Sequence, residues 1–377
     1  MKAAEYDIAI VGGGVIGLSL ARALSGEGAQ VVVIDAGADI PPATNAAAGM
    51  LAPSFEHAGS DDDSTDALGE ALYHLGARGL SLWPAYAAAL EEETGVFVDY
   101  RGDGALGVAF EESDAKALAA QAERVAALGG AAEMISGDAA RALEPGLSEK
   151  IIAALHAPKD AQVDPRRLLI ALRASLERRA VKILAGRVAA IEQDGARDVL
   201  TLAGGERLHA EKIVIASGAV SGLVAPSLVF PVKGEAVAIS ISDGELTRVI
   251  RAPRAYLCPK AEGRLVIGAS VVEGRTDLTV DPSAAERLKV NAALTFPALG
   301  GRTELERWAG LRPGTPDSAP ILGRDAQGRY LALGHYRNGV LHSPAATEAM
   351  ATLILGRAPA FDLAPFSMSR FGEAAYG

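Results

Sequence analysis

Apolar positions along the chain fall into runs whose spacing changes from segment to segment. Ile8-Ala9-Ile10-Val11 is continuous, bounded by Asp7 and by Gly12-Gly13-Gly14. A short apolar run without polar alternation reads as a strand buried on both faces. From Val15 to Ser25 the apolar residues recur at helical spacing, and Gly26 and Gly28 end that pattern. Val31-Val32-Val33-Ile34 is a second buried strand, closed by Asp35. The chain therefore opens as strand, glycine turn, helix and strand.

The pattern then loosens. Gly37–Asn45, with Gly, Pro-Pro and Thr, reads as a loop. Ala46-Ala47-Ala48-Gly49-Met50-Leu51 is rich in small residues, so another body can approach its backbone closely, and the acidic stretch Ser60–Thr65 follows. Ala67–Glu93 fits one or two helices with Leu72, Leu75, Leu80, Leu82, Trp83 and Leu90 turned inward. Short strands at Phe97–Tyr100 and Leu106–Phe110 precede a helix at Glu112–Leu128. Asp164 is the expected N-cap, and Pro165 the first residue, of a helix running to Arg178. Strands follow at Val181–Leu184, Val188–Ile191 and Lys212–Ala216, the last running into Ser217-Gly218. A strand-rich block then covers Val232–Ile241, Arg248–Ile250, Ala255–Pro259 and Leu265–Ser270, with a helix at Pro282–Leu294.

Strong strand signals near both ends, with the antiparallel-looking block between them, predict an α/β (α+β overall) chain with a discontinuous cofactor domain. Residues 1–90, 150–225 and 310–377 are expected to form that domain, and 91–149 and 226–309 the inserted antiparallel-sheet substrate domain. At 377 residues there is length for two domains and a large core. Net charge is −11 with no basic run, which argues against a nucleic-acid partner. No apolar stretch approaches the roughly 18 residues needed to span a bilayer, and no signal peptide is read, so no membrane partner is expected. A single cysteine, Cys258, makes no intramolecular disulfide, and a reducing cytoplasm is the expected location. The six histidines show no metal-ligand spacing, so no metal site is expected.

The opening unit carries the first chemistry. Gly12 permits the tight turn, Gly14 lets the backbone approach a pyrophosphate, and Gly17 lets the helix pack close to the strand. The helix N-terminus offers N–H groups and a positive dipole end to phosphates. Asp35, ending the second strand, can accept from the ribose hydroxyls of an ADP moiety, and its charge disfavours NADP. This fingerprint fits FAD or NAD, and its position at the start of the chain favours a flavin.

Later motifs narrow the choice. Ile213-Val214-Ile215-Ala216-Ser217-Gly218 resembles the second dinucleotide-contacting strand of flavoproteins with two dinucleotide-binding domains. Thr44–Leu51, Pro231-Val232-Lys233-Gly234-Glu235, Trp308–Thr315 and Gly334-His335-Tyr336-Arg337-Asn338-Gly339-Val340-Leu341 complete the set. Over nearly its full length the chain resembles the D-amino acid oxidase superfamily, and within it the glycine oxidase branch that serves thiazole formation in thiamine biosynthesis. That resemblance implies a Rossmann-like FAD-binding domain and FAD held without a covalent link, since Leu311–Leu322 has no Cys to tether it. Cys258 is then a small strand residue.

The resemblance also implies roles. Val15 and Ile16 lie at the pyrophosphate, Asp35 and Ala36 at the ribose, and Thr44 in the following loop. Ala48, Gly49 and Met50 pass near the isoalloxazine and the phosphates, and Val188 bonds the adenine through its backbone. Ser217 and Gly218 end the second contacting strand. His335, Tyr336, Arg337, Asn338, Gly339, Val340 and Leu341 wrap the ring before a last helix at Pro344–Leu355. For an amino acid substrate, Arg312 matches the carboxylate-binding arginine, Tyr256 the pocket tyrosine, and Arg337 a second arginine at the flavin face; Met50 borders the same site. Val220, Tyr336 and Arg254 depart from the family pattern, with Arg254 expected at the pocket mouth.

The implied reaction is oxidation of glycine, sarcosine or short D-amino acids by hydride transfer to flavin N5. Dioxygen is then reduced to hydrogen peroxide, and an oxo acid and ammonia are released. No side chain is required as acid or base. A homo-oligomer is the implied assembly. Two alternatives stay open in the sequence: a D-amino acid or sarcosine dehydrogenase with a non-oxygen acceptor, and a non-redox dinucleotide-binding protein.

Overall fold

A computed structural model describes residues 4–37, 42–56, 67–194, 197–219, 222–225 and 227–375. Two sheets carry the architecture. The first is centred on β1 (Ala4–Val11), which runs parallel to β2 (Val31–Asp35) on one side and to the strand Arg207–Ile215 on the other. Lys182–Ala185 adds beyond β2, and Tyr330–Leu333 followed by Ile321–Arg324 adds beyond Arg207–Ile215. Alternate residues of β1 enter different cores. Ile8 and Ile10 pack with α1 (Val15–Gly26) and the helices Pro165–Arg178 and Gly339–Ile354. Ala9 and Val11 pack with Val188, Leu200 and Leu202 of the neighbouring antiparallel strands Val188–Asp194 and Arg197–Leu202. Burial on both faces is why the run carries no polar alternation.

The second sheet is built on the strand Phe230–Ser240, flanked by Glu304–Gly314 and Arg264–Gly268. It continues through Ala255–Lys260, Val249–Ala252, Ala105–Ala109, Ala153–Ala157 and Glu133–Ser136. One face packs Val237, Ile239, Leu257 and Ile267 with the helix Pro282–Thr295. The opposite face holds Cys258, Val266 and Trp308 against Ala48, Met50 and Phe55. This second face closes the functional cleft.

Several elements differ from the sequence expectation, each for a local reason. Ala43–Ala46, inside the expected loop, is a single helical turn. Phe97–Tyr100 is not a strand, because Asp99 adopts φ 57° and turns its carboxylate to Arg101 and the Ala261 N–H. Glu304–Gly314, with its charges and Pro313, gives no strand pattern; it is an edge strand paired only with Phe230–Ser240, where proline's missing N–H is tolerated. The last helix begins at Gly339, not at Pro344. The Val340 carbonyl that Pro344 cannot serve accepts the Ser343 hydroxyl at 2.9 Å instead. Ala67–Thr94 is one helix, with Leu72, Leu75, Trp83 and Leu90 buried and Leu80 and Leu82 partly so. Ala153–Ala157, placed by sequence within the cofactor portion, pairs into the second sheet. The stretch Ser60–Thr65 lies outside the described residues. Among the described residues no helix is long and apolar enough to cross a membrane.

Candidate active site

Around β1 the chain leaves the sheet in two directions, to β2 and to Arg207–Ile215, which opens a crevice beyond the C-terminal strand ends. A cleft of about 470 Å³ starts there and runs to the second sheet. That volume lies in the range of small-molecule sites, roughly 300–1,000 Å³.

The glycine turn forms one wall. Gly12 has φ +121°, and a Cβ on it would meet the Ala216 carbonyl oxygen at 2.2 Å. A Cβ on Gly17 would meet the Gly12 carbonyl oxygen at 2.0 Å, so these two glycines let turn, helix and neighbouring strand close together. Gly14 is different: the nearest protein atoms to its Cβ, from Pro42 and Thr44, are 3.7 Å away. Its absent side chain leaves room in the cleft itself. Gly14 is the N-cap of α1 without a side-chain cap. Val15 N–H is taken by Thr44 Oγ1 at 3.2 Å, which leaves Ile16 and Gly17 as the remaining first-turn donors. Asp35 is held by Arg173, a partner the sequence did not suggest, and accepts from the Gly37 N–H at 3.3 Å.

Most of the residues nominated from sequence line this one cleft: Gly12 to Ile16, Asp35 and Ala36, Thr44, Ala48 to Met50, Val188, Ser217 and Gly218, Tyr256, Arg312, and His335 to Val340. Two do not. Gly17 is behind the wall, packed on Gly12. Leu341 is fully buried in the helical core, where its carbonyl accepts from Trp83 Nε1 at 3.3 Å. Because the last helix starts at Gly339, Leu341 already points along its buried face. Val220 lies outside the described residues.

The far wall is the second sheet, and its register assembles the polar groups. Arg251, Tyr256, Gly268, Ala236 and Trp308 are successive cross-strand partners, so they share one face. A Cβ on Gly268 would meet the Tyr256 hydroxyl at 2.2 Å, so the phenol lies over the glycine. One row on, Gly234 opposes Gly310, and a Cβ on Gly234 would meet the Arg312 guanidinium at 2.2 Å. The Arg312 side chain thus lies flat on glycine backbone. It donates only to the carbonyls of Ser270, at 3.3 Å, and Lys233, at 3.4 Å, and makes no ion pair among the described residues. Burial pushes the Tyr256 hydroxyl up to about 12, against the opposing pull of the Arg312 charge, so it stays protonated and can donate.

Arg337 is not a free charge. It pairs with Glu56 at 3.2 Å, and Glu56 also pairs with Arg251 at 2.5 Å. Arg251 and Glu56 both line the cleft and had no signal in the sequence, since neither stands in a recognisable motif. Tyr336 takes φ 46°, and its N–H bonds the Pro313 carbonyl at 2.9 Å, tying the turn before the last helix to the strand that carries Arg312.

Two observations bear on a cofactor. Among the described residues, Ser217 Oγ and His335 Nε2 are buried at the cleft without a hydrogen-bond partner, and none of those residues fills the Gly14 cradle. Orphaned polar atoms and a bare helix N-terminus fit a large polar ligand that completes them. Burial holds His335 down to about 3, so its imidazole is neutral.

Comparison with known proteins agrees with this geometry. A glycine oxidase of Geobacillus kaustophilus (strain HTA426) is 34% identical over 376 residues, covering 97% of each chain. The glycine oxidase of Pseudomonas aeruginosa is 30% identical over 96% of this chain and 98% of its own. A bifunctional protein ThiO/ThiG of Synechocystis is 32% identical over 97% of this chain, which spans 54% of that longer protein. The crystal structure of glycine oxidase from Geobacillus kaustophilus superposes with a TM-score of 0.88 at 32% identity, over 97% of this chain and 98% of the other. The family described as FAD dependent oxidoreductase matches residues 7–353, which includes both walls of the cleft, and the chain belongs to that family.

Proposed function

We propose that the protein oxidises glycine and other small amino acids, sarcosine and short D-amino acids among them, with FAD bound non-covalently and dioxygen as acceptor. The observation that carries this reading is the meeting, in one cleft, of the Gly14 helix N-terminus with the Arg312–Tyr256 wall. Gly14, Ile16, Thr44 and Ser217 would hold the pyrophosphate end, Asp35, Ala36 and Val188 the adenosine end, and Ala48 to Met50 with His335 to Val340 the ring. The flavin would supply a two-electron acceptor that dioxygen regenerates, so amino acid, water and O2 leave as oxo acid, hydrogen peroxide and ammonia, or methylamine where the substrate is sarcosine.

Arg312 grips the substrate carboxylate bidentately, and the protonated Tyr256 donates to the same group. Both sit on strands, with their side chains laid over glycines, so the carboxylate is received by groups already in place. Arg251 and Arg337 share the single negative charge of Glu56, so each offers less free charge to binding than Arg312. No side chain at the wall is asked to take a proton, since the amine can lose it to water before the reacting C–H is presented. The relatives named ThiO/ThiG support a supply role for thiamine thiazole synthesis. We also read the protein as a cytoplasmic homo-oligomer. The cofactor portion would be 1–90, 150–225 and 310–377 as read from sequence, less the second-sheet residues Ala153–Ala157 and 310–314.

The experiment is a visible spectrum of the purified protein followed by anaerobic titration with glycine, sarcosine, D-alanine and bulky L-amino acids. Flavin bleaching by the small substrates, with peroxide on re-aeration, supports the reading. Bleaching by bulky L-amino acids alone would overturn the substrate assignment, and bleaching without oxygen uptake would favour a dehydrogenase.

A further inference from the structure

The cleft carries more positive charge than a single carboxylate needs. Among the described residues its lining includes five arginines and two acids, although the whole chain carries −11. The acids are already engaged. Asp35 is held by Arg173, and Glu56 is shared by Arg251 and Arg337. Arg187 lines the cleft beside Val188, which belongs to the first sheet. At the second-sheet end, two arginines make no ion pair among the described residues: Arg312, on the floor, and Arg254.

The position of Arg254 is fixed by backbone. Val249–Ala252 and Ala255–Lys260 form a hairpin with Ala252 opposite Ala255, so Pro253 and Arg254 are its two-residue turn. Such a turn leaves little freedom in where it projects. It stands two residues from Tyr256 and three from Arg251, both in the cleft wall, and Arg254 lines the cleft from an exposed position. The floor arginine is thus committed to one carboxylate, while the rim arginine meets whatever group the substrate extends towards the mouth.

We infer that the site accepts amino acids bearing a second anionic group, with Arg312 holding the α-carboxylate and Arg254 the second anion at the rim. The second group can be attached at Cα or at the nitrogen. The reaction is unchanged: the C–H bond beside nitrogen is broken with two electrons passing to the acceptor, and water cleaves the C=N bond. For an N-substituted glycine the products are glyoxylate and the corresponding primary amine, with O2 reduced to hydrogen peroxide. This inference rests on the oxidase reading above.

Two acid–amide pairs test it: D-aspartate against D-asparagine, and N-(carboxymethyl)glycine against N-(carbamoylmethyl)glycine. Members of a pair match closely in shape and differ in one charge. The measurement is the substrate concentration that half-saturates anaerobic flavin reduction, for the holoenzyme and for Arg254→Gln and Arg254→Lys. In at least one pair the acid should half-saturate at roughly tenfold lower concentration than its amide at low ionic strength, about 1.4 kcal/mol. Arg254→Gln should erase that ratio, and Arg254→Lys should keep part of it. Salt near 0.5 M should shrink the wild-type ratio, as screening demands of an exposed charge. Equal half-saturation of acid and amide in both pairs, or a preference that survives Arg254→Gln, overturns the inference. Glycine serves as the separate control: if glycine reduces the flavin and the acids show no preference, only this inference fails. If neither glycine nor any acid reduces the flavin, the oxidase reading itself fails.

Discussion

Gly14 and Gly17 stand three residues apart in the same fingerprint, yet they should fail in opposite ways. Gly14 has φ −81° and ψ 179°, extended backbone open to any residue. Among the described residues, a valine there meets no atom nearer to its Cβ than 3.7 Å. The folded protein loses only the advantage of glycine over an apolar residue at an N-cap, on the order of 1 kcal/mol. For a chain of this size that lowers the Tm of the cofactor-free protein by a few degrees at most. Gly17→Ala instead pushes a methyl to 2.0 Å from the Gly12 carbonyl oxygen. Backbone cannot yield cheaply, so the helix shifts off the turn at a cost of roughly 1–3 kcal/mol or more, with or without cofactor. Gly14→Val pays at the cofactor. Its side chain fills space that belongs to the ligand, and the stabilisation lost is that of binding, about 2.7 kcal/mol at a hundred times Kd. The assay is flavin released by acid, per protein, alongside melting curves with and without added FAD. Gly14→Val should be folded, colourless and insensitive to FAD, and Gly17→Ala should melt early in both states. Near-stoichiometric flavin in folded Gly14→Val would refute the placement of the cofactor, and an unfolded Gly14→Val would refute the reading of its open side.

Removing Arg312 leaves a desolvated substrate carboxylate without its charged partner, a loss on the order of 3–5 kcal/mol. Arg312→Ala should keep its flavin spectrum and lose about 100-fold or more in kcat/KM for glycine, with Arg312→Lys recovering part; stopped-flow flavin reduction reads both, and near wild-type saturation in Arg312→Ala would move the carboxylate to another group. A second expectation concerns pH and stability. Burial pushes Asp160 from 3.8 to about 8, with Ser54 Oγ donating to Oδ1 at 2.9 Å and Oδ2 without a partner among the described residues. The unfolded chain therefore releases this proton at lower pH than the folded one, so the contribution of Asp160 is greatest below about pH 4 and is lost as pH rises to about 8. Asp160→Asn keeps the Ser54 bond and cannot ionise, so its Tm relative to wild type should climb across that range; a constant difference would show that Asp160 ionises normally in the fold.

The cofactor side of the site was legible because it is local. Gly12, Gly14, Thr44 and Ser217 act through backbone and turn geometry that a few adjacent residues dictate, and all of them reach the cleft. Leu341 was misplaced because the reading began the last helix at Pro344, although a proline whose upstream carbonyl finds Ser343 can sit inside a helix. The substrate side is non-local. Glu56 and Arg251 are 195 residues apart in the chain and meet only through the packing of the second sheet on the Met50–Phe55 segment. Arg173 reaches Asp35 across 138 residues in the same way. Nothing in one sequence records such pairings. The strand Glu304–Gly314 was legible as a motif and not as a strand, because an edge strand bearing Arg312 and Pro313 carries no apolar alternation.

The two halves of the site also differ in what keeps them in place. At the glycine turn, backbone is wedged against backbone, and the geometry follows from the absence of side chains. At Arg312 the geometry depends on buried charge. The carbonyls that receive its guanidinium belong to Ser270 and Lys233. Ser270 Oγ lies 3.0 Å from the Glu235 N–H and 3.3 Å from Glu235 Oε2, and Glu235 also receives the Asp281 N–H at 3.1 Å. Lys233 Nζ lies 3.5 Å from Glu235 and 3.0 Å from Asp277. Lys233 and Glu235 alternate with Gly234, so the strand presents its charged pair to one face and a bare backbone to the other. The Lys233-Gly234-Glu235 part of the motif is thereby explained. The glycine makes the seat for Arg312, and the flanking charges fix the two segments whose carbonyls hold it. Desolvating those charges is costly unless they are paired, and pairing them helps tie the segment 271–281, whose short strand Val272–Glu273 pairs with Val232 and Lys233, to the strand Phe230–Ser240. The orientation of the carboxylate-binding arginine is thus set from behind the sheet, by groups that never face the cleft.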